Sequence, residues 1–248
     1  MARRFPSGAR VEIFDTLDST SLEARRRADG GEKGPLWLIA LRQTAGYGRR
    51  GSAWMQQPGD VAATFLFEPQ TNGRSVAELS FVAAIATAAA LRHCAPRAGV
   101  AVKWPNDILA DGGKIAGLLL ELLSAPPAPP LIAVGVGVNV VSAPANLVYP
   151  TARLIDFAAG DAAAPRALVE TIDAKLDFWT RRWTKDGFAD IRAEWLSIAA
   201  GLGETIQVKT PGEIVEGVFA DLDLDGALIL DCDGVQRKIA AGAVLPSR

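Results

Sequence analysis

Histidine and cysteine are almost missing: one histidine, His93, and two cysteines, Cys94 and Cys232, in 248 residues. A single histidine leaves a Ser-His-Asp or Cys-His mechanism little to work with. The cysteines stand far apart and without metal-ligand spacing, which argues against a disulfide framework and a zinc cluster and for a reducing compartment. An excess of one charge is also missing, since 26 basic and 28 acidic residues give a net charge of −2. Nothing global therefore advertises nucleic acid or an anionic membrane as partner. The N-terminal Met-Ala-Arg-Arg-Phe-Pro lacks the apolar stretch of a signal peptide. The Ala-rich run from Val82 to Leu91 is too short to span a bilayer and reads as a buried helix. A cytoplasmic protein without a membrane partner is the expectation.

What is present is a globular composition, with 49% hydrophobic and 22% charged residues, enough for one sizeable core or one core plus a small module. The densest functional signal is Gln43-Thr-Ala-Gly-Tyr-Gly-Arg-Arg-Gly-Ser-Ala-Trp54. Its glycines let backbone N–H groups approach an anion, and Arg49 and Arg50 add charge that does not titrate away. Gly46 to Gly51 also fits G-x-G-x-x-G, but a dinucleotide site needs a helix opening at the third glycine. Pro58 and Gly59 and the absence of a helical period argue against one here. No Lys-Ser or Lys-Thr pair follows the glycines, so a Walker A loop is excluded too.

Val11 to Phe14 reads as a strand. Asp18-Ser19-Thr20-Ser21 precedes a helix, with Glu23 three residues after Thr20 as in a capping box. The hydroxyls there serve either as helix cap or as ligand holders, because a helix N-terminus also suits an anion. Leu36 to Arg42 and Val61 to Phe67 read as strands and Ser75 to Cys94 as a helix. His93, at its end, fits a favourable contact with the helix dipole better than catalysis.

Val100 to Trp104 and Ile115 to Leu123 read as the arms of one hairpin, turning at Asp111-Gly112-Gly113 and carrying Lys103 and Lys114. Lysine is rarely buried alone, so two flanking one turn suggest a site. Ser124 to Pro130 is a proline-rich connector, and Leu131 to Val141 a Val/Gly strand ending in Asn139, a polar residue in need of a partner. Pro165 to Trp183 has one apolar helical face, and Ile191 to Leu196 continues helically. After Gly201-Leu202-Gly203 the period shortens to strands at 205–209, 214–220, 227–231 and 235–239, which argue for a small barrel or sandwich.

Arg49, Arg50, Lys103 and Lys114 with glycine loops describe a site that stabilises negative charge instead of supplying a nucleophile. Phosphoryl and nucleotidyl transfer work in this way. Several segments in order resemble the biotin–protein ligases: Asp18-Ser19-Thr20, Gly46-Tyr47-Gly48-Arg49-Arg50-Gly51 with Trp54, Lys103-Trp104-Pro105-Asn106-Asp107, Gly113-Lys114-Ile115-Ala116-Gly117, and Gly135-Val136-Gly137-Val138-Asn139. The C-terminal Asp225-Gly226-Ala227-Leu228 fits as well.

The resemblance implies an α/β (α+β) fold: a mixed sheet flanked by helices, class II synthetase-like, over residues 1–200, and an SH3-like β-barrel over 201–248. It implies formation of biotinyl-5′-AMP from biotin and ATP with Mg²⁺, then transfer to a lysine of a biotin carboxyl carrier domain of acetyl-CoA carboxylase. Ser19, Thr20, Ser21, Gln43, Gly46, Tyr47, Gly48, Arg49, Lys114 and Gly117 would hold biotin, with Lys114 and Arg49 catalytic. Arg50, Trp54, Lys103, Asn106 and Asn139 would face ATP, and Asp107 would approach Mg²⁺. Tyr47 and Ser52 stand where arginine is usual in the family, and Ser21 where asparagine is common. Only about ten residues precede the first strand, too few for the DNA-binding helices that some members carry, so no specific DNA binding is expected. A homodimer is compatible with the resemblance. The alternatives are a lipoate or octanoate ligase and a non-catalytic biotin- or nucleotide-binding regulator.

Overall fold

The computed structural model describes residues 4–124, 127–145, 147–157 and 164–246. Seven strands build the larger sheet: β1 (Arg10–Phe14), β2 (Leu36–Ala40), β3 (Val61–Phe67), β4 (Val100–Lys103), β5 (Asp107–Ala110), β6 (Gly113–Leu122) and β7 (Ile132–Val138). Their spatial order is β1-β2-β3-β7-β6-β5-β4. Only the β1–β2 pair is parallel, so the sheet is mixed.

Strand residues alternate between the two faces of a sheet, and here the faces have different jobs. Trp37, Ile39, Phe65, Phe67, Val134, Val136, Leu118 and Leu120 join the main core. Helices α2 (Leu79–Cys94), α3 (Pro165–Asp186) and α4 (Phe188–Ser197) complete that core. On the other face, Leu36, Leu38, Leu66 and Ala133 form a smaller cluster with Ala24 of α1 (Thr20–Asp29). Beside that cluster the same face continues in small residues. Ala62 lies opposite Gly137, and Thr64 opposite Gly135. Gly117 pairs with Gly137, and Leu119 with Gly135. A groove therefore runs across the sheet next to the N-terminus of α1.

A five-stranded antiparallel sheet follows, from β8 (Thr205–Lys209), β9 (Ile214–Leu222), β10 (Leu228–Cys232), β11 (Val235–Ile239) and β12 (Ala243–Val244). It is seated on the larger sheet's side through Trp104, whose Nε1 donates to the Gly226 carbonyl (3.1 Å), and through Trp195 edge-on to Phe219.

Four details differ from the sequence expectations. The single hairpin with a lysine on each arm is a three-stranded meander, because β5 intervenes. Asp111 (φ 46°) and Gly112 (φ 80°) make the two-residue β5–β6 turn, whose left-handed geometry suits strand twist. The capping box at Thr20 does not form: Ser19 is the N-cap, and Glu23 pairs with Arg26 and Arg27 instead. The helical stretch after Trp183 breaks at Gly187, whose φ of 91° ends α3 and starts α4. Strand β12 was too short to show in the period. The helix expected from Ser75 to Cys94 is found, and the stretch Val76–Cys94 meets the length and hydropathy of a membrane span. Its α2 residues from Phe81 to Ala88 are all buried within the protein core.

Candidate active site

The groove, the glycine–arginine loop and the ends of β4 to β6 enclose a cavity of ≈ 300 Å³. At one end lie buried hydroxyls. Thr20 donates its amide (2.8 Å) and its hydroxyl (3.1 Å) to Gln43 Oε1. The Thr64 hydroxyl donates to Thr20 Oγ1 at 2.8 Å, and Ser21 Oγ stands 3.3 Å from Thr64 Oγ1. Ser19, Thr20 and Ser21 are all buried, so this is a desolvated polar cluster and not a solvated helix cap. Thr64 was missed by the sequence reading; it sits inside an apolar strand, and only pairing places it under α1.

The loop between Gly46 and Trp54 folds back on itself. Trp54 N donates to the Gly46 carbonyl (2.9 Å), Gly48 N to Ser52 O (2.7 Å), and Tyr47 bridges Ala53. Its tip, Arg49–Gly51, is one 3₁₀ turn and not the helix that dinucleotide binding requires. Trp54 lies on the groove floor: a Cβ added to Gly137 would sit 2.3 to 2.8 Å from its indole, and one on Gly117 3.3 Å away. Glycine at both positions is what lets an indole rest on the sheet. Trp54 Nε1 is buried and has no hydrogen-bond partner among the described residues. Arg49 Nη1 donates to Asn106 Oδ1 (3.3 Å), whereas Arg50 is exposed at the tip with φ 56°.

At the other end the cations converge on one carboxylate. Lys114 Nζ is 2.7 Å from Asp107 Oδ1 and 5.5 Å from the centroid of the Tyr149 ring. Lys103 has no ion-pair partner among the described residues; burial pushes its pKa down, Asp107 opposing and Lys114 adding to the fall. Burial and the neighbouring Arg50 likewise depress Arg49 below its ordinary value, with Asp107 opposing. Two cations desolvated beside one cavity, with a single carboxylate opposing the fall, make it a candidate anion site.

Asn139 meets its requirement for partners by donating Nδ2 to the carbonyls of Lys114 (3.2 Å) and Ala152 (3.1 Å). It ties the segment after β7 to β6. Asn106 acts similarly, Nδ2 to Leu118 O at 2.5 Å. The cavity thus gathers Ser19, Thr20, Ser21, Gln43, Tyr47, Gly48, Arg49, Arg50, Trp54, Lys103, Asn106, Asp107, Lys114, Gly117 and Asn139. It adds Met55, Trp104, Tyr149 and Thr151, which the sequence reading did not single out, and Gly242 to Val244 from the smaller sheet. Gly46 stands against the Gln43 amide beside this cluster. Among the described residues no cluster of three or more His, Cys, Asp or Glu side chains could hold a metal. Asp107 is a lone carboxylate, which suits Mg²⁺ carried in on phosphate oxygens and not a metal held by protein alone.

Comparison with known proteins gives matches along most of the chain. The model of the biotin/lipoate A/B protein ligase family matches residues 14–139, and that of the biotin protein ligase C terminal domain residues 201–245. A biotin--[acetyl-CoA-carboxylase] ligase of Paracoccus denitrificans is 40% identical over 232 residues, 92% of this chain and 96% of the relative. The enzyme of the same name from Mycobacterium tuberculosis is 33% identical, over 96% of this chain and 89% of the relative. In fold, the biotin protein ligase from Aquifex aeolicus in complex with biotin and ATP matches with a TM-score of 0.81 at 22% identity, over 94% and 97% of the two chains.

Proposed function

This chain belongs to the biotin/lipoate A/B protein ligase family, and from that premise we propose that it is a biotin–[acetyl-CoA-carboxylase] ligase. It joins biotin to ATP and passes the biotinyl group to a lysine of a biotin carboxyl carrier domain. We take residues 1–200 as the catalytic domain and 201–248 as the C-terminal SH3-like barrel. The observation that carries the reading is a single cavity with a hydroxyl–amide cluster at one end and Lys114, Lys103 and Arg49 at the other.

In the first step a carboxylate oxygen of biotin forms a bond to the α-phosphorus of ATP as the bond to pyrophosphate breaks. Both reactants are anions, so the barrier is largely repulsion and developing charge, and fixed cations in a dry site lower it. Lys114 faces the reacting carboxylate and phosphate, and Arg49 screens the adenylate. Lys103 and Arg50 meet the remaining phosphates. Ser19, Thr20, Ser21 and Gln43, with Gly46 to Gly48 and Gly117, hold the ureido ring, while Trp54, Asn106 and Asn139 line the nucleotide side. Asp107 is the residue that would contact Mg²⁺, which neutralises phosphate charge. In the second step the acceptor's ε-amine attacks the acyl carbon and AMP leaves, so no protein nucleophile is needed. The single histidine and scattered cysteines agree with that chemistry. The reaction belongs in the cytoplasm, and operator DNA plays no part in this proposal; a homodimer is compatible with it.

Biotin-dependent release of pyrophosphate from ATP, compared with lipoate and octanoate, tests the reading. Transfer of labelled biotin to a carrier domain completes it. Faster turnover with octanoate would move the assignment to the lipoate branch, and no turnover with any acid would leave a binding protein. The hydroxyl–amide cluster favours the polar ring over an aliphatic tail.

Two further outcomes are expected. Gly137→Ala forces the Trp54 indole off the groove floor, since its Cβ would lie inside the ring's contact distance. Overpacking of this kind costs about 1 to 3 kcal/mol, and titration calorimetry should show biotin binding weakened about tenfold or more. Separately, Lys103 loses its charge at lower pH than an ordinary lysine because burial depresses it. KM for ATP should therefore start to rise below about pH 10, where a free lysine is still mostly charged. Lys103→Arg should remove that alkaline rise; a wild-type KM that stays level to about pH 10 would count against Lys103 as a phosphate contact.

A further inference from the structure

One contact of the glycine–arginine loop has no part in the chemistry above. The Tyr47 hydroxyl donates to both carboxylate oxygens of Glu121, at 3.2 and 3.3 Å. Glu121 is itself held from the other side by Arg25 Nη2 of α1, at 3.1 Å. Counting by twos along β6 puts Glu121 on the same sheet face as Gly117 and Leu119, hence on the face that carries the groove. The contact spans 74 positions of sequence, so it fastens the loop to the sheet and not to itself. The Arg49–Asn106 bond fastens the tip, and Trp54 pins the far end of the loop to the floor. Of these tethers, the Tyr47 phenol also meets Ser21 of the hydroxyl cluster.

We propose that Glu121 is a positioning residue, which through Tyr47 latches the glycine–arginine loop over the biotin-ring end of the cavity and sets how long biotinyl-5′-AMP stays bound. This rests on the ligase reading. Burial and the adjacent Glu121 carboxylate both raise the Tyr47 pKa, so the phenol keeps its proton at neutral pH and remains a donor. At 3.2 and 3.3 Å the bond is longer than the tightest hydroxyl–carboxylate pairs and is shared between two oxygens, so it is a tether of ordinary strength. The phenol thus supplies a tether to an acidic partner without adding a cation to the loop. Retention matters because the mixed anhydride is exposed to water whenever the loop opens. Closing the loop is a cost in chain entropy, raised by its glycines, which a tether of this kind offsets.

The test compares Glu121→Ala, Tyr47→Phe, the double variant and the milder Glu121→Gln. Glu121→Ala is expected to form biotinyl-5′-AMP in a single turnover, at saturating biotin and ATP, within about threefold of wild type. Release of preformed adenylate, followed by chase with unlabelled biotin, should be about tenfold faster, the scale of one partly exposed hydrogen bond to a charge. Trypsin should cut after Arg49 or Arg50 correspondingly faster. The double variant should release no faster than either single one, and Glu121→Gln, which keeps an acceptor oxygen, should fall between. Release and cleavage unchanged in Glu121→Ala, or additive effects in the double variant, would overturn the latch. If the wild-type chain makes no adenylate the ligase reading falls, and trypsin cleavage alone then decides whether Tyr47 and Glu121 hold the loop.

Discussion

Lys114→Ala is expected to slow pyrophosphate release in the first turnover by about two to three orders of magnitude. That is the usual cost, about 2.7 to 4 kcal/mol, of removing one preorganised donor from developing negative charge. The position of Lys114 makes it the strongest candidate for such an effect. Its backbone is pinned on both sides, N donating to Pro150 O (2.9 Å) and O accepting from Ala152 N (3.0 Å). Its Nζ is steered by Asp107 and lies against Tyr149. An ammonium fixed in this way needs little reorganisation when charge builds on the phosphate. Loss confined to kcat would place the contact in the transition state, whereas a rise in KM alone would make it a binding residue. Lys114→Arg should rescue little, because a planar fork does not occupy the place of a compact ammonium. Rapid-quench measurement at saturating biotin and ATP decides; a fall of less than about tenfold would take Lys114 out of the chemical step.

The second large effect is on stability, at a residue that touches no substrate in the proposed reaction. Asp60→Ala should lower unfolding free energy by about 3 to 5 kcal/mol, since hydrogen bonds to a charged group are each worth about 1.5 to 3 kcal/mol. Asp60 is 2% exposed. Its Oδ1 accepts from three successive amides, Val140 and Val141 at 2.9 Å and Ser142 at 3.1 Å. Its Oδ2 takes Gln57 N (3.0 Å) and the Ser142 hydroxyl. Removing the carboxylate would leave the buried Val140 amide and the part-buried donors of Val141, Ser142 and Gln57 without their acceptor. For a chain of this size the loss corresponds to a drop of about 10 °C in Tm. The same segment runs on to Pro150 and Thr151 beside Lys114, so ATP should also bind more weakly at temperatures where the variant is folded. Calorimetry and urea titration check the first claim. A change below about 1 kcal/mol would mean that water replaces the carboxylate as acceptor.

The main elements were legible because each rests on local physics. Val61–Phe67 and Thr205–Lys209 are found where their β-forming residues and bounding turns put them, and Pro165 opens α3 as proline does at a first helical turn. Strand β5 was overlooked because its four residues lie directly between two turn signals, Pro105-Asn106 and Asp111-Gly112, and were read as part of them. The capping box failed for a different reason: Thr20 has a better use for its hydroxyl in Gln43 and Thr64, and Glu23 in two arginines. Tertiary partners outweighed a local preference worth about 1 kcal/mol.

In the site, residue types spoke plainly: glycines beside arginines, and lysines at strand ends, name an anion-handling surface from composition and spacing alone. Strand register was not written there. That Gly117 opposes Gly137, that Trp54 lies over both, and that Tyr47 finds Glu121 across 74 positions follow only once β3, β6 and β7 are paired. Periodicity is a property of neighbours along the chain, whereas a cavity is made by segments whose closeness depends on the whole sheet closing in one register. The chemistry of this protein was therefore readable in its residues, and its geometry was not.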